Sequence, residues 1–580
     1  MMFGITDYAL KHRFAMLLGA LALAAAGYWA WTRLDIEAYP DISDNEVAVI
    51  AEAPGLPAEE VEMQVTVPIE RALNTAPGVL AKRSRTIFGL SIVRLTFTDE
   101  TNLFLARQIV NEKLADAELP AGVVPALGPM TPSIGEIFRY VLEAPDTVPL
   151  TKLREIQDYV VVPKILQAQG VVDVANFGGL VKQFQIIVDP VKLEKYELSL
   201  KTLADAVADN NRNTGGNFIN IGASQINIRG VGRITQADEI ENIVIDNRDG
   251  IPLLIKDVAT VEIGVLPPTG ILGYVDKTRG VAVDRGVEGI VLLRKFDNPS
   301  RTVHHVYEKI DELNRRILPK GVRVVPFYDR TELVDLTLKT VSTTLLEGMT
   351  VVMVVLTLLL GSWRAALIST LAIPFALLFA FLAMYFAGIP ANLLSLGAID
   401  FGVIVDATIV MVEAIVRAIH HGKGENVRNL IRSAGADVRK QIFFSIVIIV
   451  LALLPILTLE RVEGRLFAPM AWTLVFAIVG SLVYSLTLAP ALSTFLLGPK
   501  TRESHHFFWR VTEASYAWAL KAGLRVWPLT LVALTGGVGV LGYVFAPKGT
   551  EFLPELDEGC VWVRVFLPSG ISLVEAEKYP

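Results

Sequence analysis

Apolar residues along this chain fall into two regimes. At seven places they run almost unbroken for the length a bilayer crossing needs, about 20 residues: 14–31, 345–360, 365–386, 393–418, 441–459, 467–497 and 526–545. Between the first two of these stretches, roughly 300 residues alternate short apolar and polar runs instead. There the pattern predicts strands at 46–53, 79–85 and 90–96, helices at 57–72 and 103–115, and a closing strand at 137–143. That order is β-α-β-β-α-β, the split-βαβ arrangement. A second unit begins near Leu150, with a helix at 152–169 and strands at 172–176 and 183–188. Residues 210–323, rich in Asn, Gly and short β runs, read as a separate insertion.

Basic residues orient the spans, because cytoplasmic loops carry an excess of Lys and Arg. Lys11 and Arg13 place the N-terminus inside, and Trp31 marks the opposite interface. Alternation then puts Arg364 inside, together with Lys423, Arg428, Arg432, Arg439 and Lys440 in the segment 420–440, and finally Lys500, Arg502 and Arg510. Residues 505–521 have helical apolar spacing and suit an interfacial helix. The stretch 14–31 has the basic start and alanine-rich end of a cleaved leader, but its apolar run is longer than a leader needs and six spans follow.

Composition agrees. The 580 residues are 52% hydrophobic and 19% charged, below the roughly 25% charged of soluble proteins, and mean hydropathy is +0.47. A net charge of −7 disfavours a nucleic-acid partner. The single cysteine, Cys560, excludes an internal disulfide framework and a Cys-cluster zinc site; in a terminal strand it reads as a packed small residue. No phosphate-binding loop, His-Glu-x-x-His or Gly-x-Ser-x-Gly is present, so ATP-driven and hydrolytic readings lack support and no enzyme is indicated. The adjacent pairs His304-His305, His420-His421 and His505-His506 diverge on either kind of backbone and read as solvated.

An internal repeat follows the first and the last span. Pro40, Val47, Val49 and Pro54 match Pro554, Val561, Val563 and Pro568 at a constant separation of 514 residues. Transporters built from repeated halves have this symmetry, so a second extracytoplasmic region and about five further spans are expected beyond Pro580.

The chemistry concentrates in the fourth span. It carries Asp400, Asp406 and Glu413, and three charged carboxylates near a bilayer centre cost roughly 7–10 kcal/mol on an insertion scale. Such groups persist facing a protein interior, paired with a cation, or protonated. Low dielectric disfavours the charged form and brings protonation within reach of physiological pH. Asp406 and Glu413, seven apart, stack on one helix face, with Asp400 about 120° around. A carboxylate that loads and releases protons inside a membrane is the core of a proton-coupled carrier; a structural ion pair with another span is the competing reading. Direct coordination of one metal by all three is disfavoured by their spread over about 20 Å. Met411, on the same span, reads as packing, although a thioether suits soft metals.

Several motifs resemble the resistance-nodulation-division efflux transporters, in particular their heavy-metal branch of cobalt-zinc-cadmium and copper-silver exporters. They are Tyr39-Pro40-Asp41-Ile42, Pro54-Gly55-Leu56, Gly135-Glu136-Ile137, the run from Phe327 to Leu333, and Asp400-Phe401-Gly402 through Glu413. The resemblance implies the N-terminal half of a multi-pass α-helical membrane protein with a large periplasmic α/β region: ferredoxin-like βαββαβ porter subdomains plus a docking subdomain. The first span would occupy 1–32 and the first porter subdomain 33–145. The second porter subdomain would take 146–209 and about 324–338, around a docking subdomain at 210–323. Spans two to six would fill 339–498, an interfacial helix 499–525, span seven 526–545, and a second porter region would start at 546–580. The implied protein sits in the inner membrane as a homotrimer, joined to a periplasmic adaptor and an outer-membrane channel. It carries no cofactor beyond coupling protons and a transported metal ion. Asp406 would be the principal proton acceptor, assisted by Asp400 and Glu413, and Glu136 a periplasmic metal contact; Met411 is the other candidate metal contact.

The sequence departs from that branch in places. Ala407 and Ala414 stand where Gly and Asn are usual, and Tyr579 lies near the position of a periplasmic methionine. Ile404 and Ile478 fall where methionine partners of Met411 are expected, so a divalent cargo is favoured over soft monovalent ions. An exporter of organic or amphiphilic compounds on the same scaffold is the nearer alternative. A non-transporting membrane scaffold is the alternative of another class.

Overall fold

The computed structural model describes residues 4–34, 36–37, 40–248, 250–268, 270–397, 401–422, 426–498, 507–546, 559–565, 567, 571–572, 575 and 578. The chain divides into two compact units, one comprising Met1–Ile137, Leu293–His304 and Asp329–Val561, the other Phe138–Leu292, His305–Tyr328 and Trp562–Pro580.

The first unit contains a four-stranded sheet and a helical bundle. After helix α1 (Arg13–Arg33) comes strand β1 (Asn45–Glu52), which alternates faithfully: Val47, Val49 and Ala51 are fully buried while their neighbours are not. Helix α2 runs through Ala58–Val61, a π turn at Glu62–Thr66, and Val67–Ala72. Strands β2 (Val79–Ile87) and β3 (Leu90–Phe97) form an antiparallel pair, and α3 (Leu103–Leu114) follows. Asn102 starts α3 by accepting a hydrogen bond from the Phe104 amide at 2.9 Å, and Leu103, Ala106, Val110 and Leu114 form its buried face. A short strand β4 (Pro125–Leu127) closes the sheet in the order β2-β3-β1-β4. Each fully buried Val, Leu or Phe of this core contributes about 1.5–3 kcal/mol.

The closing strand expected at 137–143 does form, as β5 (Glu136–Glu143), but it belongs to a second sheet. That sheet adds β6 (Val171–Gly178), β7 (Val287–Leu293) and β8 (Arg323–Asp329) in the order β8-β5-β7-β6. Counted along each unit, the order is the same fourth-first-third-second arrangement as in the first sheet. Helix α4 covers Leu150–Ile156, Gln157–Val161 and Val162–Ile165, and α5 covers Pro299–Glu312. In α2 and α4 alike, the second residue after the π turn is a proline, Pro68 and Pro163. Proline lacks the amide donor and its ring crowds the carbonyl four residues back; a widened turn accommodates both.

The insertion therefore lies between β6 and β7 rather than at 210–323. Lys182–Val188, expected in the second unit's sheet, pairs antiparallel with Ala259–Val265. The β7 strand and α5, expected in the insertion, return to the second βαββαβ unit. Within the insertion, the hairpin Thr214–Ile221 with Ser224–Gly230 is exposed along its whole length.

Asp329 caps α6 (Arg330–Leu360), its carboxylate accepting from the Thr331 amide at 2.8 Å. Then come α7 (Trp363–Ala387), α8 (Phe401–His421), α9 (Val427–Leu457), α10 (Arg461–Leu496, with a π turn at Tyr484–Leu488 before Pro490), α11 (Phe507–Arg525) and α12 (Trp527–Phe545). Among the described residues, six helices are long and apolar enough to cross a membrane: α1, α6, α7, α9, α10 and α12. The seventh expected span, 393–418, is described as the short helix Leu393–Gly397 and α8, with 398–400 outside the described residues; Asp406, Glu413 and Arg417 set α8 apart from the apolar six. The basic segment 420–440, expected as a loop, is helical from Val427 onward. Helices α1 and α7 cross where Gly27 meets Leu378: a Cβ on Gly27 would lie 2.4 Å from the Leu378 carbonyl oxygen, so only glycine fits. Trp31 with Phe381 and Trp29 with Tyr385, at centroid distances of 4.6 and 5.0 Å, gather aromatic rings at one end of that pair.

Of the second copy of the repeat, Pro554 and Pro568 lie outside the described residues. Val561 and Val563 are exposed and in no strand. Cys560 is likewise exposed, not packed as expected.

Candidate functional site

Helix α8 has two contrasting faces. Ile404, Val405, Thr408, Met411, Val412, Ile415 and Ile419 are buried, packed against α7, α9 and α10. The opposite stripe, at helical spacing, is Gly402, Asp406, Val410, Glu413 and Arg417, all exposed in this chain. Asp406 and Glu413 thus share one face, about 10 Å apart along the axis. The sequence fixes this division because apolar residues recur at three- and four-residue steps on one side only. Asp400 lies outside the described residues.

Glu413 accepts a hydrogen bond from Arg417 Nη2 at 2.6 Å, an ion pair one turn along the same helix. The cation was expected, if anywhere, on another span; it comes instead from α8 itself. Asp406 lies about two turns further from the basic end, among apolar residues of the helix.

The two metal candidates stand apart from this stripe. Met411 is fully buried with its sulfur against Gly435 of α9, in the same core as Ile404 and Ile478. That is packing geometry. Two other thioethers in the bundle accept hydroxyl hydrogen bonds, Met384 from Thr473 at 3.4 Å and Met353 from Thr370 at 3.7 Å. Glu136 is half-buried at the first position of β5. Among the described residues no group of three or more His, Cys, Asp or Glu side chains is placed to hold a metal ion. His421 turns a ring nitrogen to the Arg417 carbonyl at 2.9 Å, a local helix contact; His505 and His506 lie outside the described residues.

Sequence reading missed a charged cluster elsewhere in the first unit. Lys295, 6% exposed, directs Nζ to the carbonyl of Asp44 at 3.1 Å and lies 3.9 Å from the Asp41 carboxylate. Burial pushes its ammonium below the ordinary lysine range; Asp41 opposes this, and nearby Arg465 reinforces it. Arg465, near the start of α10, donates to the Ser43 carbonyl and to the Asp99 carboxylate, and lies 3.7 Å from Asp44 Oδ1. The partners are 251 and 422 residues apart in the chain, so no local motif announces them.

The family model described as AcrB/AcrD/AcrF matches residues 5–579. The chain is 35% identical to the cobalt-zinc-cadmium resistance protein CzcA of Cupriavidus metallidurans, over 99% of this chain and 55% of that protein. It is 34% identical to the cation efflux system protein CusA of Escherichia coli, over 98% of this chain and 55% of that protein. A crystal structure of a heavy metal efflux pump superposes with a TM-score of 0.85 at 40% identity, covering 99% of this chain and 55% of the pump. The chain therefore spans about half the length of these relatives.

Proposed function

This chain belongs to the AcrB/AcrD/AcrF family, and from that premise we propose that it forms the N-terminal half of a proton-driven exporter of heavy-metal cations. The exporter resides in the inner membrane with its sheets in the periplasm, assembles as a homotrimer, and works with a periplasmic adaptor and an outer-membrane channel. The two sheets, each with the strand order of a ferredoxin-like fold, serve as porter subdomains, and the insertion between β6 and β7 contributes to docking. One of these relatives carries cobalt, zinc and cadmium in its name, and the isoleucines around Met411 leave no chain of thioethers on α8; both favour a divalent cargo. Glu136 is the proposed periplasmic contact for it.

The observation that carries this reading is the placement of Asp406. It lies on a membrane helix that is otherwise tightly packed, on the one face its neighbours leave open. An ionised carboxylate near the bilayer centre costs about 2.5–3.5 kcal/mol. One proton moved through about 100 mV supplies about 2.3 kcal/mol. The two are matched in size, so a transmembrane gradient suffices to switch Asp406 between its neutral and ionised forms. Helix α8 prefers a different surrounding in each form, and that difference is the work available for transport. Glu413, already neutralised locally by Arg417, acts as a secondary station, with Asp400 completing the relay.

The test is metal tolerance of cells carrying the full-length protein, parent against Asp406→Asn, over zinc, cobalt, cadmium, copper and a hydrophobic dye. Loss of tolerance to divalent metals alone supports the reading; equal tolerance of parent and variant refutes the proton role. Loss confined to the dye would transfer the scaffold to organic cargo.

A further inference from the structure

A proton-binding helix performs work on the periplasmic sheets only if something rigid joins them. Where the bundle meets the first sheet, the structure has a cavity of about 1490 Å³, lined by Arg33, Asp41, Asp44, Asp99, Arg330 and Arg465 among others. Individual polar contacts join the two parts beside it. Arg465 makes three of them, to Ser43, Asp44 and Asp99, which stand at the entry to β1 and just beyond the end of β3. Lys295 also donates to the carbonyls of the same Ser43–Asp44 segment. About 24 Å further along α10, near the middle of the helix, the buried Ser481 hydroxyl donates to the carbonyl of Ile404, two residues before Asp406. Helix α10 is thus bonded to the first sheet near its start and to the carboxylate helix near its middle.

The charge of Arg465 calls for its own explanation. In the orientation given by Lys11 and Arg13, the start of α10 faces away from the cytoplasm, where the positive-inside rule gives basic residues no reason to gather. We propose that Arg465 is a positioning residue for transport, a strut that conveys displacement of α8 through α10 to β1 and β3 of the first sheet. The inference rests on the proton-driven reading above and names the mechanical link it requires.

Proteoliposomes of the full-length exporter test it, with proton flux and zinc flux read in parallel by a pH dye and a zinc dye. Arg465→Gln should lower zinc flux about tenfold, within the range that coupling residues carry, while proton flux stays within about twofold of parent. Asp99→Asn should shift the ratio the same way by less, Arg465→Lys should recover at least about half of the loss, and the Arg465→Gln/Asp99→Asn double variant should be no worse than Arg465→Gln alone. Zinc flux at the parental level in Arg465→Gln, or proton and zinc flux falling together in a folded protein, would overturn the strut. If Arg465→Gln does not fold, an unchanged flux ratio in Asp99→Asn overturns it equally. An Asp406→Asn control that keeps parental proton flux refutes the underlying proton reading instead, so the two failures are told apart.

Discussion

The buried charges of the second sheet and the carboxylates of α8 face the same electrostatic problem and answer it differently. Arg139 and Glu288, on adjacent strands β5 and β7, are 6% and 2% exposed at the side chain and pair at 3.4 Å. Around them, Gln157 donates to the Tyr140 hydroxyl at 2.9 Å and to Asn176 at 2.7 Å, and Asn176 donates to Asp158 at 2.8 Å. Charge in that core is enclosed and answered by fixed partners. On α8, by contrast, the core face is apolar and Asp406 and Glu413 lie on the exposed face, Glu413 paired with Arg417. On the proposed reading, a structural charge is placed where its partner is permanent, whereas Asp406, as a proton carrier, is placed where its surroundings change.

The contrast yields an ordered set of expectations for the full-length protein. The largest concerns Glu288→Ala, which strands Arg139 and should destabilise the second unit by about 3–5 kcal/mol, read as a lowered unfolding midpoint. Replacing both partners at once, Arg139→Met with Glu288→Leu, should return stability to within about 1 kcal/mol of parent or above it. A large loss in the double variant would mean that the pair does more than answer its own burial. A smaller effect is expected at Glu413→Gln: its pair with Arg417 is half-exposed in this chain, and such i,i+4 pairs contribute about 0.3–0.5 kcal/mol. Export should fall only severalfold, a shift of about 1 kcal/mol or less; a collapse equal to that of Asp406→Asn would make the two carboxylates equal stations.

The smallest is a pH effect at Lys295. Its folded state releases its proton more readily than the unfolded chain does, because burial disfavours the ammonium. The penalty is fully present below the folded value and is relieved as pH rises toward the unfolded value of about 10.4. Unfolding midpoints of parent and Lys295→Met should therefore shift in the parent's favour across that alkaline window; a shift the other way would contradict the assigned cause.

Much of the architecture was legible locally. The apolar stretches expected at 14–31 and 526–545 form the helices Arg13–Arg33 and Trp527–Phe545, long and apolar enough to cross a membrane, and the strand expected at 46–53 forms as Asn45–Glu52. Their signals, apolar length and period-two alternation, belong to single segments. Sheet membership is set by distant partners, which is why the strand at 137–143 was assigned to the wrong sheet. The same holds for Lys295 and Arg465, whose carbonyl and carboxylate acceptors come from remote segments. A further clue is readable in the sequence: Val67-Pro68 and Val162-Pro163 recur at the same place in successive helices. That proline spacing marks two copies of one unit and would have moved the second unit's first strand to β5. In the candidate site, the shared face of Asp406 and Glu413 followed from spacing alone, while the Glu413–Arg417 pair is an i,i+4 contact that spacing also permits.

The most direct measurement is zinc-coupled proton flux in proteoliposomes of Asp406→Asn beside parent, with the unfolding midpoint of each recorded. If Asp406 is the proton carrier, the variant loses the work of about one proton, about 2.3 kcal/mol per 100 mV, and coupled flux falls about fiftyfold while the midpoint stays with the parent's. Parental flux in the variant, or a midpoint lowered as far as that of Glu288→Ala, would show that Asp406 is a structural charge after all.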